Sequence, residues 1–333
     1  MTIYDISKEA NVSTATVSRV LNGSANVNEK TRNAVLEVIQ RFGYQPSAFA
    51  RGLTLKSMKM VGILAADCQA PFLAQAVHHL EDFLREKQYC TLLCCTGYAS
   101  ENKRARMDFL LARNVDAVIL VGSGYVERDD SLNDYIRKAA DKVPVILINA
   151  NLTYPNIYSF ACDDRKAVYE ATEWLYRTGS EEVLFLYNQT SYSGIRKLAG
   201  FHEAARYYDK DWQKYSVLCP NEIKDVHAIA DFVEQVHKQG LVFDAVVTAD
   251  DNLGIGVIKY AKRMKIAIPD ELRVIGFNNS SIVQYCEPEL SSIDNQLEAL
   301  CRSSTDALVD ILENNATPHN VFLSAKLVHR GSA

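Results

Sequence analysis

Residues 3 to 21 read Ile3-Tyr4-Asp5-Ile6-Ser7-Lys8-Glu9-Ala10-Asn11-Val12-Ser13-Thr14-Ala15-Thr16-Val17-Ser18-Arg19-Val20-Leu21. Two short helical patterns stand here on either side of a turn too tight for anything but a helix-turn-helix. Ile3, Ile6 and Ala10 make an i, i+3, i+7 stripe, and Val17, Val20 and Leu21 make its counterpart, so the two apolar faces can pack together. Ser13 is placed to N-cap the second helix, its oxygen satisfying an orphan amide. Thr14, Ala15, Thr16, Ser18 and Arg19 are left on the wet face. Small side chains let a helix sink into a major groove, hydroxyls reach phosphates, and an arginine can grip a guanine edge with two bonds. A plain helical hairpin in a small core is the competing reading, and the wording of the segment is more specific than that requires. The stretch implies a head that reads duplex DNA.

Working outward, a third helical pattern runs from Glu29 to about Phe42, with Val35, Leu36, Val38 and Ile39 available to a small core and Gly43 ending it. Tyr44 follows, reaching to core or phosphate, and then residues 47–53, too few to hold a helix alone. Charge follows the same division. The chain carries a net −5, yet residues 1–60 hold eight basic and four acidic side chains, a balance of +4 that leaves −9 on the rest. A basic head on an acidic body directs a polyanion to the head.

The 333 residues, 48% apolar and 23% charged, are globular in composition and too many for one small core. Beyond Lys59 continuous apolar runs at 60–64, 91–95, 117–121, 145–148, 183–186, 245–247 and 274–277 alternate with helical patterns at 72–87, 101–113, 166–177, 194–208, 223–238 and 253–265. Runs without alternation suit strands buried on both faces, so the order predicts an α/β body of parallel sheets covered by helices, with ligands at the carboxyl ends of the strands. Two such sheets, about 60–160 and 163–290, make two lobes with a cleft between them. Strand ends put Asp67, Phe72, Gly122, Ser123 and Asn149 on one wall, and Arg196 or Lys197, Asp250 and Asn278 on the other. One aromatic platform with several hydrogen-bonding groups suits a small polar or polyhydroxylated ligand, although each residue alone also reads as a cap or loop polar group.

Other chemistry is not encoded. His78 and His79 are adjacent and point to different sides of their helix, no metal-binding H-E-x-x-H or phosphate-cradling G-x-x-x-x-G-K-[ST] occurs, and no nucleophile, base or metal set converges. An enzyme, a cofactor and a metal are therefore not expected. The eight cysteines form no C-x-x-C pair and sit mostly in apolar runs, reading as small buried hydrophobes in a reducing cytoplasm. No signal peptide or membrane-length apolar run appears, so cytoplasmic placement is expected.

Residues 2–55, above all Val12 to Gly23 and Tyr44-Gln45-Pro46-Ser47-Ala48-Phe49-Ala50-Arg51-Gly52-Leu53, resemble the LacI/GalR family of bacterial repressors, and the Ala-Thr-Val-Ser-Arg wording is most similar to the catabolite control proteins within it. The resemblance extends more loosely to Leu327-Val328-His329-Arg330-Gly331-Ser332. It implies a three-helix DNA-binding head over 1–46, a hinge helix and linker over 47–59, and a bilobed periplasmic-binding-protein-like body of two doubly wound parallel sheets over 60–333. The family pattern has the chain cross back near 291–295 and again near Pro318, giving lobe 1 about 60–160 and 292–318 and lobe 2 about 163–290 and 320–333. It implies DNA contacts from Thr2, Tyr4, Ser13, Thr14, Ala15, Thr16, Ser18, Arg19, Asn22, Thr31, Tyr44, Ala50 and Leu53. Leu53 stands at the hinge position whose side chain wedges into the minor groove, where unstacking one step costs a few kcal/mol and is offset by the contacts that bending permits.

Departures from the family pattern concern ligand choice. Lys197 stands where sugar-responsive members usually have arginine, with Arg196 one place earlier, and lysine lacks the bidentate grip of a guanidinium. Asp250 replaces the usual asparagine, Asn278 the usual aspartate, and Ser47 the asparagine that usually follows the proline before the hinge. The expected effector is a small polar metabolite other than an ordinary neutral hexose. The resemblance to catabolite control proteins leaves a second reading open, in which a phosphorylated carrier protein docks on the first lobe around His78, His79, Asp82 and Arg85. A palindromic operator needs two heads, so a homodimer is expected, and no leucine heptad for a tetramer follows Arg330.

Overall fold

The computed structural model describes residues 2–21, 26–43 and 57–333, and the chain divides into two compact units, Met1–Lys59 and Met60–Ala333. Of the residues expected to contact DNA, Asn22, Tyr44, Ala50 and Leu53 lie outside the described residues, as do Ser47 and the expected hinge and linker as far as 56.

In the first unit three helices form: α1 (Ile3–Glu9), α2 (Thr14–Leu21) and α3 (Glu29–Phe42). Each start has a chemical cause. Thr2 and Asp5 cap α1 reciprocally, the Thr2 amide donating to Asp5 Oδ2 at 2.7 Å and the Asp5 amide to Thr2 Oγ1 at 3.4 Å. Ser13 accepts from the Thr16 amide at 3.1 Å, the cap expected for α2. Asn28 caps α3, and Gly43 ends it at φ 57°, a left-handed conformation that glycine adopts without a Cβ penalty. Ile6, Val17, Val20, Val35 and Val38 are buried together, with Ile3, Ala10, Val12, Leu21, Val27 and Ile39 packed around them. Leu36, expected to be available to this core, is exposed, because it falls between the buried turns of α3.

The second unit holds two six-stranded sheets. The first contains β1 (Met60–Ala65), β2 (Cys90–Cys95), β3 (Ala117–Val121), β4 (Val145–Ile148), β5 (Ile157–Cys162) and, late in the chain, β11 (Asn320–Leu323), in the order β11-β5-β4-β3-β1-β2 and parallel throughout. The second contains β6 (Val183–Tyr187), β7 (Ser216–Leu218), β8 (Ala245–Thr248), β9 (Arg273–Phe277), β10 (Ser291–Asp294) and β12 (Lys326–Val328), in the order β12-β10-β9-β8-β6-β7, with β12 antiparallel to β10. Central strands such as β3 and β4 are buried at every residue, as continuous apolar runs require. Helices α4 (Pro71–Glu86), α5 (Ser100–Leu111) and α6 (Asp134–Ala140) cover the first sheet. Helices α7 (Asp164–Arg177), α8 (Tyr192–Tyr207), α9 (Val226–Lys238) and α10 (Asp251–Met264) cover the second. Helix α11 (Leu297–Leu312) returns to the first lobe, where Leu297, Leu300, Cys301 and Leu308 pack with Leu80 and Leu84.

This architecture is the one expected, and the chain crosses back within the expected 291–295, but the start of the returning segment and the place of the next crossing need correction. Ser292 to Asp294 belong to the second sheet, because β10 pairs with β9, so the chain returns to the first lobe only after Asp294. The next crossing comes after Leu323 and not near Pro318, because β11 adds to β5 of the first sheet before β12 joins the second. The reading of the cysteines also needs correction: Cys90 and Cys95 are exposed and Cys68 and Cys286 partly so, because they occupy an edge strand and loops and not sheet interiors. No helix among the described residues is long and apolar enough to cross a membrane.

Candidate DNA-reading face and effector cleft

On the head, the cap and the core of α2 together decide which side chains face outward. With Val17 and Val20 buried, Ala15 and Arg19 are exposed and Thr14, Thr16 and Ser18 lie half-buried on the helix flanks. Ser13 and Thr16 hydroxyls sit 2.9 Å apart, an arrangement that fixes their rotamers while leaving a lone pair or proton for a phosphate. Tyr4 is 72% exposed beside the exposed Thr2 cap, and Thr31 lies in the first turn of α3, its amide held by Asn28 at 2.8 Å. The face is small, hydroxylated and carries one arginine.

In the body, the carboxyl ends of both sheets enclose a cavity of about 170 Å³. Phe72, Ser123 and Asn149 line it from the first lobe, and Lys197, Asp250 and Asn278 from the second. Two expected residues are elsewhere. Asp67 turns to Lys224, 3.6 Å away, and Arg196 reaches Asp163 at 2.8 Å with its guanidinium toward the Tyr192 ring. One residue along a helix is a rotation of about 100°, so α8 can point either Arg196 or Lys197 at the cleft but not both. The choice falls on Lys197.

Backbone geometry brings these groups close. Gly122, at φ 107° directly after β3, turns the chain into the short turn that presents Ser123, and a Cβ there would meet Leu73 at 2.9 Å. Gly194 lets the first turn of α8 approach the Gln189 carbonyl, which a Cβ would meet at 2.2 Å. Asn149 and Asn278 both adopt positive φ, a conformation asparagine tolerates, at the ends of β4 and β9. Across the cleft the Ser123 and Ser191 hydroxyls are 2.8 Å apart, a direct link between the lobes.

The polar groups are mostly held by one another. Asp250 caps α10 through the Leu253 amide at 2.9 Å and accepts from Asn188 Nδ2 at 2.8 Å. Asn295 donates to Asn278 Oδ1 at 3.0 Å. Asn149 Oδ1 is buried with no hydrogen-bond partner, an acceptor that a ligand hydroxyl or amine would satisfy. The Lys197 ammonium donates to the Ala249 carbonyl at 2.8 Å and lies 3.5 Å from the centre of the Phe277 ring. Burial pulls the Lys197 pKa down, opposed chiefly by Asp164, and pushes the pKa of the fully buried Asp164 up against the pull of Lys197. Asp251 accepts from the Ser280 amide at 2.8 Å, the Ser280 hydroxyl at 2.6 Å and the Ser292 hydroxyl at 2.5 Å; burial still raises its pKa to about 6.

Sequence reasoning missed Tyr98, Asn188, Gln189, Ser191, Ser193 and Ser280, all of which line the cavity. Ser193 lies in the first turn of α8, and the others sit in loops of unequal length after β2, β6 and β9, where no periodic signal marks which residue turns inward. The surface around His78 and His79 is more committed than expected: Arg85 pairs with both Glu81 and Asp82, and His78 lies 3.5 Å from Asp82.

Comparison with known proteins accords with this two-part construction. Residues 2–47 match the family described as bacterial regulatory proteins, lacI family, and residues 172–333 match the periplasmic binding protein-like domain. A protein described as an HTH-type transcriptional regulator from Lachnoclostridium phytofermentans is 45% identical over 331 residues, covering 99% of this chain and 98% of that one. Catabolite control protein A of Staphylococcus epidermidis is 30% identical over 342 residues, covering 100% and 99%. The fold is that of the lac repressor dimer bound to operator and the anti-inducer ONPF, with a TM-score of 0.87 at 21% identity over 100% of this chain and 98% of that one. With a hydroxyl-rich second helix ahead of a two-lobed body, and relatives 45% and 30% identical over nearly the whole of both chains, the chain belongs to the lacI family of bacterial regulatory proteins.

Proposed function

We propose that the protein is a sequence-specific transcriptional regulator, a repressor of a carbohydrate or related metabolic operon, that binds a palindromic operator as a homodimer in the cytoplasm and is gated by a small polar effector held between its lobes. The observation that carries this reading is the cavity itself: about 170 Å³, walled by both lobes and lined by amides, hydroxyls, a carboxylate and an ammonium beside Phe72 and Tyr98. Such a site binds by hydrogen bonds to polar edges and by stacking on an aromatic face. Because it is shared between lobes, a ligand filling it favours one lobe arrangement over another, and that difference in affinity is what couples the cleft to the DNA. In the head, Thr2, Tyr4, Ser13, Thr14, Ala15, Thr16, Ser18, Arg19 and Thr31 are the described residues assigned to DNA, with Asn22, Tyr44, Ala50 and Leu53 added by family pattern.

Within the cleft, Phe72, Ser123, Asn149, Lys197, Asp250 and Asn278 are assigned to the effector, joined by Tyr98, Asn188 and Ser191. Lys197 and Asp250 supply opposite charges on one wall, which favours a ligand other than an ordinary neutral hexose; calorimetry showing tight binding of such a hexose overturns that assignment. A phosphorylated carrier protein as the gate is supported by the likeness to catabolite control protein A. Arg85 argues against it, since Glu81 and Asp82 already occupy its guanidinium.

The test is selection of bound sequences from a random duplex pool at several salt concentrations, with and without a mixture of central metabolites. A palindrome whose recovery changes with one metabolite supports the proposal. A palindrome indifferent to every metabolite favours the carrier protein, and no palindrome at all refutes the head assignment.

A further inference from the structure

On the rim of the first lobe, two cysteines far apart in sequence meet. Cys68 follows β1 and Cys95 ends β2, and their sulfurs are 2.6 Å apart. The juxtaposition is built by the backbone: β1 and β2 pair in parallel with Ala65 opposite Cys95, and the ladder continues past the strands as the Thr96 amide donates to the Ala65 carbonyl and the Gly97 amide to the Ala66 carbonyl, each at 2.9 Å. Asp67 Oδ1 accepts from the Gln69 amide at 2.9 Å, which curls the loop so that Cys68 faces back over the end of β2. Neighbouring cysteines are differently placed. Cys94 points to the opposite, buried face of β2, as strand alternation requires, and Cys90 lies at the far end of the strand.

We propose that Cys68 and Cys95 form a reversible thiol–disulfide site, oxidised by low-molecular-weight disulfides. Cys95 is exposed and so is the first to react, whereas Cys68 is half-buried, its thiol pushed up to about 11 by burial and then by the hydrogen bond to Cys95. The Cys95 thiolate attacks one sulfur of the oxidant R–S–S–R, forming a mixed disulfide and releasing one R–S⁻, which takes up a proton. Cys68 then loses its proton to solvent and attacks the Cys95 sulfur, expelling the second R–S⁻. The balance is two protein thiols plus R–S–S–R giving one protein disulfide plus two R–SH, two electrons passing from the protein to the oxidant.

The bond acts on the two loops it joins. Asp67, which pairs with Lys224 of the second lobe, precedes Cys68, and Phe72 follows in the first turn of α4; Tyr98, whose ring lies 4.9 Å from the Lys224 ammonium, follows Cys95. A disulfide therefore ties the loop leading to Phe72 to the loop carrying Tyr98 and restricts the opening of both. This holds whatever ligand the cleft takes.

The test equilibrates the full-length protein in mixtures of reduced and oxidised glutathione, quenches with acid, alkylates the unfolded chain and maps the remaining thiols by mass spectrometry with fragmentation. The expected result is loss of two of the eight thiols as a Cys68–Cys95 bridge, reversed by dithiothreitol. Cys68→Ser is expected to stop at one glutathione on Cys95, and Cys95→Ser to form no bridge. Amide hydrogen exchange at 66–72 and 96–98 is expected to slow in the oxidised protein. Retention of all eight thiols in the most oxidising mixture, a bridge to Cys90 or Cys94, or a cross-link between chains on a non-reducing gel overturns the site. A bridge that leaves exchange in both loops unchanged overturns the restriction of the loops.

Discussion

Asp251 carries a pH dependence that its surroundings let us work out. The residue is 2% exposed, in the first turn of α10, and lies so close to β9 that a Cβ on Gly276 would meet its Oδ1 at 2.5 Å. Burial raises its pKa from 3.8 to about 6, although three hydrogen bonds from Ser280 and Ser292 pull the other way. The folded state therefore holds its proton more tightly than the unfolded chain does. Stability from this group is complete below the unfolded value and is lost as pH rises through the folded one, because above it the fold must bury a carboxylate. A shift of about two units corresponds to roughly 3 kcal/mol, of which about 2 kcal/mol falls between pH 4.5 and 7.5. Asp251→Asn removes the charge at constant shape. Its amide oxygen, at the place of Oδ2, keeps the Ser280 amide and hydroxyl, and the Ser292 hydroxyl can turn to accept from its NH₂. Urea unfolding of both proteins across that range isolates the group, since all other titrations are shared. The stability of the native protein relative to Asp251→Asn is expected to fall by about 2 kcal/mol as pH rises. A difference that is flat, or that rises with pH, refutes the reasoning.

Four further outcomes follow from the head and the cleft. Ser13→Ala removes the cap of α2 and is expected to cost the head about 1 kcal/mol, read as faster amide exchange at residues 14–17 in the full chain. Arg19→Ala is expected to relax preference at one operator base pair by about 1–3 kcal/mol, measured by competition among single-base operator variants. Leu53→Ala is expected to weaken specific binding while largely sparing binding to random DNA; equal losses on both count against a minor-groove wedge. Ser123→Ala breaks the 2.8 Å link between the lobes and is expected to cost roughly 1 kcal/mol of closed-cleft population, seen as a wider distance distribution between spin labels on the two lobes.

Much of this molecule is written in local pattern, and what is not has a physical reason. The continuous runs that became β1, β3, β4 and β8 are legible because strands buried on both faces need apolar residues at every position. Ile157–Cys162, β5, interleaves Tyr158 and Ser159 with its apolar residues and so carries a weaker signal, and the short strands β7, β10, β11 and β12 mix Ser216, Ser291, Ser292, Asp294, Asn320 and Lys326 with theirs. Their pairing is decided by partners distant in sequence, which is why the second late crossing lies beyond the expected place near Pro318. In the cleft, Phe72, Ser123, Asn149, Asp250 and Asn278 are legible because strand ends in this fold open onto the cavity. Asp67 and Arg196 were not, since each is drawn away by a charged partner, Lys224 and Asp163, that sequence spacing does not reveal. The Ser13 cap, by contrast, is a local affair and stands where the pattern puts it.

The central claim is that the cleft and the DNA-reading face are thermodynamically coupled through a small molecule. It is tested most directly by measuring the dissociation constant for the selected operator with and without the saturating metabolite, for the native protein and for Lys197→Met. The metabolite is expected to change the affinity of the native protein about 5- to 150-fold, a coupling of about 1–3 kcal/mol, and to leave Lys197→Met unchanged at the same concentration. An operator affinity that no metabolite alters, or that shifts equally in both proteins, contradicts it.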